Sequence, residues 1–360
     1  MSAQRGNKAT DRFSPLENVL VTFCAVVLVF VLSEGVLRVI GFSFDVRPRY
    51  MEFNFPNPHE LHEIFEPDQA TLWRLRPGMS MGEGIEPINS MGFRGPEFEE
   101  KKSEGTGRVI ALGDSVTFGA QVSYPRMLGD CLGPKYQVIN AGVPGYSSTQ
   151  GLKLFRSRLV ILRPDIIIVM YGWNDHWLAQ GFTDAEQTLK GPRENGSRLI
   201  EELRIYQFVH WLLTKSSRHD HTAGPPKRRV PLDEYRKNLW GFVSEAKKDD
   251  ARVLLLTPPS TLKSGKLPDY LYWLKFIEGD PGEPAAQGVK RVKELHGSYN
   301  DVVRGVAAET GAELIDLDRD WGRLELSGLF NDPSRDIIHP SAKGYGLIAK
   351  TLCDTIRKAH

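Results

Sequence analysis

Ser115, Asp336 and His339 give this chain a hydroxyl, a carboxylate and an imidazole that could act together. The stretch "ALGDSVTFGAQ" ends an apolar run in a tight glycine turn and places Ser115 directly after it. "NAGVPGYSS" (140–148) and "YGWNDH" (171–176) repeat the pattern of a glycine and polar groups closing an apolar run. Near the carboxyl end, "NDPSRDIIHPSAKGY" sets Asp336 three residues before His339. A serine hydroxyl becomes a nucleophile when a base lies within hydrogen-bond reach and an acid orients that base. An aspartate and a histidine three apart, across one turn, can point the same way, so that a carboxylate holds imidazole Nδ1. Each stretch alone has a plainer reading. A serine in a turn is most often a turn residue, and an aspartate such as Asp114 after a strand-end glycine more often fixes a turn than does chemistry.

Groups at strand ends need strands to carry them. "RVIAL" (108–112) reads as a buried strand, "YPRMLGDCL" (124–132) as a short helix and "YQVIN" (136–140) as a second strand. "SSTQGLKLFRSRLVIL" (147–162) has helical apolar spacing. "DIIIVMYG" (165–172) is a β-branched run without polar alternation, which belongs to a strand buried on both faces and hence to a parallel sheet. Then come an apolar helix over about 199–214, an amphipathic helix over 232–249, a strand over 252–259 and a helix over 289–311 capped by Gly311. "AELIDL" is the last strand, and "HPSAKGYGLIAKTLCDTIRK" the final helix, with Pro340 at its start. Alternating strands and helices predict an α/β domain with a parallel sheet. Ligands of such sheets sit beyond the carboxyl ends of the strands, where "GDS", "NAGVPGYSS" and "YGWNDH" would share one rim.

With these blocks in view, the chain resembles the SGNH hydrolases, also called the GDSL esterase family. "GDSVTFG" is similar to the family's first block, with Val116 where Leu or Phe is more usual. "NAGVPG" resembles the second, "GWND" the third and "DIIHP" the last, all in order across residues 108–358. The resemblance implies a three-layer, flavodoxin-like α/β fold. It implies Ser115 as nucleophile, His339 as base, Asp336 as its orienting acid, and an oxyanion hole from the N–H of Ser115, the N–H of Gly145 and the amide of Asn174. It implies no metal and no organic cofactor. It also sets the helices of Cys131 and Cys353 side by side on one face, where the two cysteines are either a bridge or two separate core residues. The chain lacks the G-x-S-x-G elbow, since position 117 is Thr, and the GK[ST] ending of a phosphate-binding loop.

The rest of the chain places this domain. Lys plus Arg number 46 against 45 Asp plus Glu, a net charge of +1 that gives no argument for a nucleic-acid partner. Residues 18–42 open with an unbroken apolar run from Val19 to Leu32, and the whole segment is about long enough to cross a bilayer of roughly 30 Å. Without a small-residue cleavage pattern it reads as a retained signal anchor, the alternatives being a buried core helix and a cleaved signal. Arg38 would snorkel to a headgroup region. Arg5, Lys8 and Arg12 before it nearly balance Arg38, Arg47 and Arg49 at or beyond its end, tipping slightly towards a cytoplasmic amino terminus. The resulting division is a polar tail (1–17), the anchor (18–42), a Pro/Gly/aromatic-rich collar (43–106) with Trp73 and Phe93 packing on the domain behind it, and the hydrolase domain (107–360) with insertions around 176–230 and 260–290.

Other residues stay open at this stage. His176 borders the site and is either a substrate contact or core, and Trp173 is a pocket wall or core packing. His59 with His62, and His219 with His221, lack a third nearby ligand for a metal. "KRR" (227–229) reads as a solvated loop. The expectation is a membrane-anchored, extracytoplasmic serine esterase acting on short acyl esters of envelope carbohydrate or lipid, by analogy only. Its rivals are an acyltransferase onto polysaccharide with the same triad, a lipase or thioesterase with its groove lined by the insertion helices 199–214 and 268–277, and a non-catalytic envelope assembly protein.

Overall fold

A computed structural model describes residues 14–44, 64–179, 183–187, 200, 202–216, 227–262, 267–273, 276–324, 328–332 and 334–358. The strands are β1 (Phe65–Asp68), β2 (Leu72–Leu75), β3 (Gly107–Gly113), β4 (Tyr136–Gly142), β5 (Ile166–Met170), β6 (Arg252–Leu256) and β7 (Glu313–Ile315). β1 and β2 form an antiparallel hairpin, and the other five make a parallel sheet in the order β4-β3-β5-β6-β7. The chain runs from β3 outwards to β4 and then crosses to β5 on the other side. That reversal opens a crevice at the carboxyl end of β3.

Alternation along each strand divides the core in two. Ile110, Leu112, Ile167, Val169, Val253 and Leu255 face one layer, with the helices Ser148–Leu154, Leu232–Lys247 and Ala285–Thr310. Val109, Ala111, Ile166, Ile168, Leu254 and Leu256 face the other, with Tyr124–Leu132 and Ala342–Lys358. Period-two side chains buried on both faces are why these runs show no polar alternation. The result is the three-layer α/β architecture. Cys131 and Cys353 bridge the two helices of the second layer as a disulfide. Trp73 and Phe93 are buried in the first layer's core.

Several sequence expectations shift. The helix from Ser148 leaves α geometry at Phe155, widens through Phe155–Leu159, tightens through Val160–Leu162, and stops at Arg163 in the left-handed region. The long helix starts at Ala285, earlier than its apolar pattern suggests, and ends at Gly311 with φ +71°. The last helix starts at Ala342 and not at Pro340. Ser341 Oγ accepts the Gly344 N–H, a serine cap that outcompetes proline as the start signal, while Pro340 pairs with Phe330 in a bridge. Among the described residues of 268–277, Tyr270–Trp273 is helical; Leu271 and Ile277 are buried and Phe276 stacks on Trp177, so these residues cover core.

Contacts divide the chain into two units. The larger holds both sheets and their helices. The smaller holds the helix Pro15–Val39 and the helix Arg204–Ser216. Pro15–Val39 begins with a reciprocal cap, Ser14 Oγ accepting the Glu17 N–H and Glu17 accepting the Ser14 N–H. Its 25 residues span about 37 Å at helical rise, and its apolar side chains from Val19 to Leu32 are exposed. It is long and apolar enough to cross a membrane. Arg38, near its end, pairs with Glu34 at 2.7 Å and stays half exposed.

Candidate active site

Three loops leave the carboxyl ends of β4, β3 and β5, which are neighbours in that order. After β3, Asp114 caps the one-turn helix Ser115–Phe118, its Oδ1 accepting the Val116 N–H at 2.9 Å. Ser115 is the first residue of that turn. Glycine is required on both sides of it. A Cβ on Gly113 would lie 2.0 Å from Thr117 Oγ1, and one on Gly142 would lie 2.3 Å from Phe118 N. After β4, the Tyr146 N–H donates to Val143 O at 3.1 Å, closing a turn with Pro144 and Gly145 at its centre and Gly145 at φ +80°. After β5, Asn174 Nδ2 donates to Tyr146 O at 3.1 Å and to Asp114 Oδ2 at 3.3 Å. The Asn174 amide therefore ties the three loops together.

The fourth stretch reaches the same place from 224 residues away. Asp336 Oδ1 accepts the N–H of Ile338 and of His339, a tight turn that folds the carboxylate back on the imidazole. Asp336 Oδ2 accepts from His339 Nδ1 at 2.7 Å. His339 Nε2 lies 2.7 Å from Ser115 Oγ. With Nδ1–H held by a carboxylate, the Nε2 lone pair is left to accept the serine proton. Ser115, His339 and Asp336 thus form one hydrogen-bonded chain, and Asn174 and Gly145 lie on the loops flanking it.

The electrostatics separate the groups. Burial acts to lower the His339 pKa, but the hydrogen bond and charge of Asp336, with the charge of Asp114, carry it above the ordinary imidazole value. Burial acts to raise Asp336, yet its bonds to His339 and to the two backbone N–H groups hold it below the usual carboxylate value. Asp114 is pushed up to about 6 by burial, against the opposing Val116 N–H and the His339 charge.

The neighbouring residues fall out differently. His176 is fully buried, with Nε2 3.2 Å from His296 Nδ1, while His296 Nε2 donates to Pro258 O at 2.9 Å. Trp173 stacks on His296 at 4.1 Å and is itself buried, so both Trp173 and His176 are core. Asp175 is buried too and accepts the Ser148 N–H. The basic run 227–229 is not simply solvated. Arg229 pairs with the buried Asp184 at 2.7 Å and donates to Gln150, because the loop doubles back to pair its backbone with Trp177. The pairs His59/His62 and His219/His221 lie outside the described residues. Among the described residues, no three His, Cys, Asp or Glu side chains gather as metal ligands.

Sequence reasoning missed Arg94. Its buried guanidinium donates to Phe118 O at 2.9 Å, Gly119 O at 2.8 Å and Gln121 O at 3.3 Å, and lies over the Phe118 ring. Asn140 Nδ2 adds a bond to Phe118 O. Together they satisfy the carbonyls at the far end of the serine turn. The only signal was "GFRGP", an arginine between glycines, which has no periodicity to read.

Residues 111–347 match the GDSL-like lipase/acylhydrolase family. Over 264 residues the chain is 25% identical to the Mus musculus protein named isoamyl acetate-hydrolyzing esterase 1 homolog, covering 70% of this chain and 82% of that one. It is 23% identical over 266 residues to an uncharacterized lipoprotein of Bacillus subtilis, covering 68% and 88%. The solved lipase/acylhydrolase of Enterococcus faecalis aligns at 19% identity with a TM-score of 0.41, covering 71% of this chain and 97% of that one. With a family match that spans well over half of its sequence and all four strand-end and loop blocks, this chain belongs to the GDSL-like lipase/acylhydrolase family, the SGNH hydrolase superfamily of ester-hydrolysing enzymes.

Proposed function

We propose that the protein is a membrane-anchored serine esterase that hydrolyses short acyl, O-acetyl-like esters through an acyl-serine intermediate. The observation that carries this is the pair of 2.7 Å contacts linking Ser115 Oγ to His339 Nε2 and His339 Nδ1 to Asp336 Oδ2. Ser115 Oγ attacks the acyl carbon as its proton passes to His339 Nε2, and Asp336 stabilises the imidazolium. The developing oxyanion takes hydrogen bonds from the N–H of Ser115 and Gly145 and from Asn174 Nδ2. At Asn174 the longer bond, the 3.3 Å one to Asp114, is the one to yield. Collapse expels the alkoxide, which takes the proton from His339 Nε2. Water then gives its proton to His339 and attacks the acyl-serine; the acid leaves and Ser115 regains its hydrogen.

The helix Pro15–Val39 supports an anchor, and the Cys131–Cys353 bridge supports an oxidising compartment outside the cytoplasm. The lipoprotein relative supports an envelope location. An acyl group as small as acetyl is supported by the mouse relative, which is named for the hydrolysis of isoamyl acetate. Acyl esters of envelope carbohydrate or lipid are the substrates that fit this placement. The test is a series of chromogenic esters of rising acyl length, given to the full-length protein in detergent, with free acid as the measured product. The expected kcat/KM is highest for acetyl to butyryl and falls for long chains. A maximum at long chains would move the enzyme to lipase or thioesterase chemistry, and acyl groups found on added sugar in place of free acid would make it a transferase.

A further inference from the structure

The charges in the last third of the helix Pro15–Val39 are not stray. Glu34 Oε2 accepts the Ile205 N–H at 2.9 Å, at the start of the helix Arg204–Ser216. A carboxylate there caps open backbone N–H groups and meets the positive end of the helix dipole. Arg38 pairs with Glu34 and donates to Glu202 O at 3.4 Å. Just beyond, the Phe44 N–H donates to Gln207 Oε1 at 3.2 Å, and the Phe42 ring meets Phe208 and Trp211 edge-on. One face of Arg204–Ser216 is therefore docked, through Gln207, Phe208 and Trp211, onto the end of the apolar helix and the residues that follow it.

The other face is apolar and bare. Val209, Leu212 and Leu213 are 48%, 45% and 59% exposed. Their spacing of three and four residues makes a single stripe. In water such a stripe, beside a helix whose most apolar 18 residues have mean hydropathy 2.5 and are all unburied, has no stabilising partner. In a bilayer it has one. Glu34 and Arg38 sit where the apolar run ends, the level at which charged groups meet headgroups, and they pin the start of Arg204–Ser216 to that level.

We propose that Arg204–Ser216 is a second membrane contact, a helix of about 20 Å lying in the headgroup–acyl boundary, with Val209, Leu212 and Leu213 in the acyl chains. Tyr206 and Trp211 are the residue types that favour that depth. The proposal rests on reading Pro15–Val39 as the membrane span. The occupant of the stripe is lipid and not a protein partner because Glu34 ties the start of its helix to the end of the apolar run of the span.

Cys24 makes the test direct. It is exposed within the span, and the other two cysteines are joined to each other. The full-length protein is labelled at Cys24 with an environment-sensitive fluorophore and reconstituted into phosphatidylcholine/phosphatidylglycerol vesicles with acyl-brominated lipids. A Cys24→Ser/Leu213→Cys variant moves the label to the stripe, and Cys24→Ser/Val209→Cys repeats it at a second position. The expected result is bromine quenching at Cys24, Leu213 and Val209. At Leu213 and Val209, bromines near the carbonyl quench more than deep ones, and aqueous iodide quenches little. Quenching at Cys24 with labels at 209 and 213 open to iodide and blind to bromine would overturn the interfacial helix and leave the span standing. No bromine quenching at Cys24 would overturn the span, and the proposal with it.

Discussion

Two aspartate–histidine pairs in this protein stand close to the same sheet and behave in opposite ways. Asp336 and His339 are each about one-third exposed, bonded to each other and in reach of Ser115. Asp175 and His176 are adjacent in sequence, one residue past Asn174, and both are fully buried. His176 faces another imidazole and no carboxylate, so burial and the positive neighbours His296 and Arg228 hold its pKa well below the ordinary value. His339 faces a carboxylate, which outweighs burial and lifts it. Residue type and closeness to the site are shared; what differs is the partner on the far nitrogen. A carboxylate on Nδ1 makes a base that can take a proton and hold the charge. A second imidazole and a stacked tryptophan make a core layer.

The sharpest way to break that contrast is to remove each ring. His339→Ala should lower kcat by about 10⁴-fold or more. His176→Phe should leave kcat within a few-fold and show its cost in thermal unfolding, because an aromatic of similar size replaces a buried neutral ring. A large loss of kcat in His176→Phe with unchanged folding would place the buried pair in the reaction. Next in size, Asn174→Ala should lower kcat by about 10²–10³-fold with KM little changed, the signature of a donor used in the transition state. The His176→Phe protein would again serve as the reference for damage to the same loop.

The smallest effect is on position along the pH axis. In the proposed mechanism neutral His339 is the working form, and its raised pKa should place the acid limb of kcat/KM above the ordinary imidazole value. Asp114, at about 6, takes up a second proton further down and weakens its hold on Val116 N–H and Asn174. The logarithm of kcat/KM should therefore fall with a slope of one and steepen towards two below about pH 6. A single slope throughout, or a limb below the ordinary imidazole range, would contradict the partner rule drawn from the two pairs.

Much of this site is legible in the sequence because its parts are local. The runs around Ile110, Ile139 and Ile168 carry strand character in their own composition, and the first two end in the glycines, Gly113 and Gly142, that a close approach to the serine turn demands. Asp336 and His339 are held by a turn that lies within four residues. What could not be read depends on distance in sequence. His296 meets His176 across 120 residues, which decides that His176 is core. Arg94 closes the serine turn from the collar, where an isolated arginine among glycines and prolines has no pattern. Pro340 reads as the start of the last helix, but the cap is Ser341, and Pro340 pairs with Phe330, ten residues earlier, in a bridge that no local pattern announces.

The proposed mechanism makes Ser115 a nucleophile activated by His339. The measurement that meets it most directly is the intact mass of the full-length protein after a serine-directed phosphonate, for the wild type, Ser115→Ala and His339→Ala. The wild type should gain the mass of one phosphonyl group, Ser115→Ala none, and His339→Ala one only at a greatly reduced rate. Equal labelling of wild type and Ser115→Ala, or no labelling of the wild type under conditions where it is folded, would contradict the account.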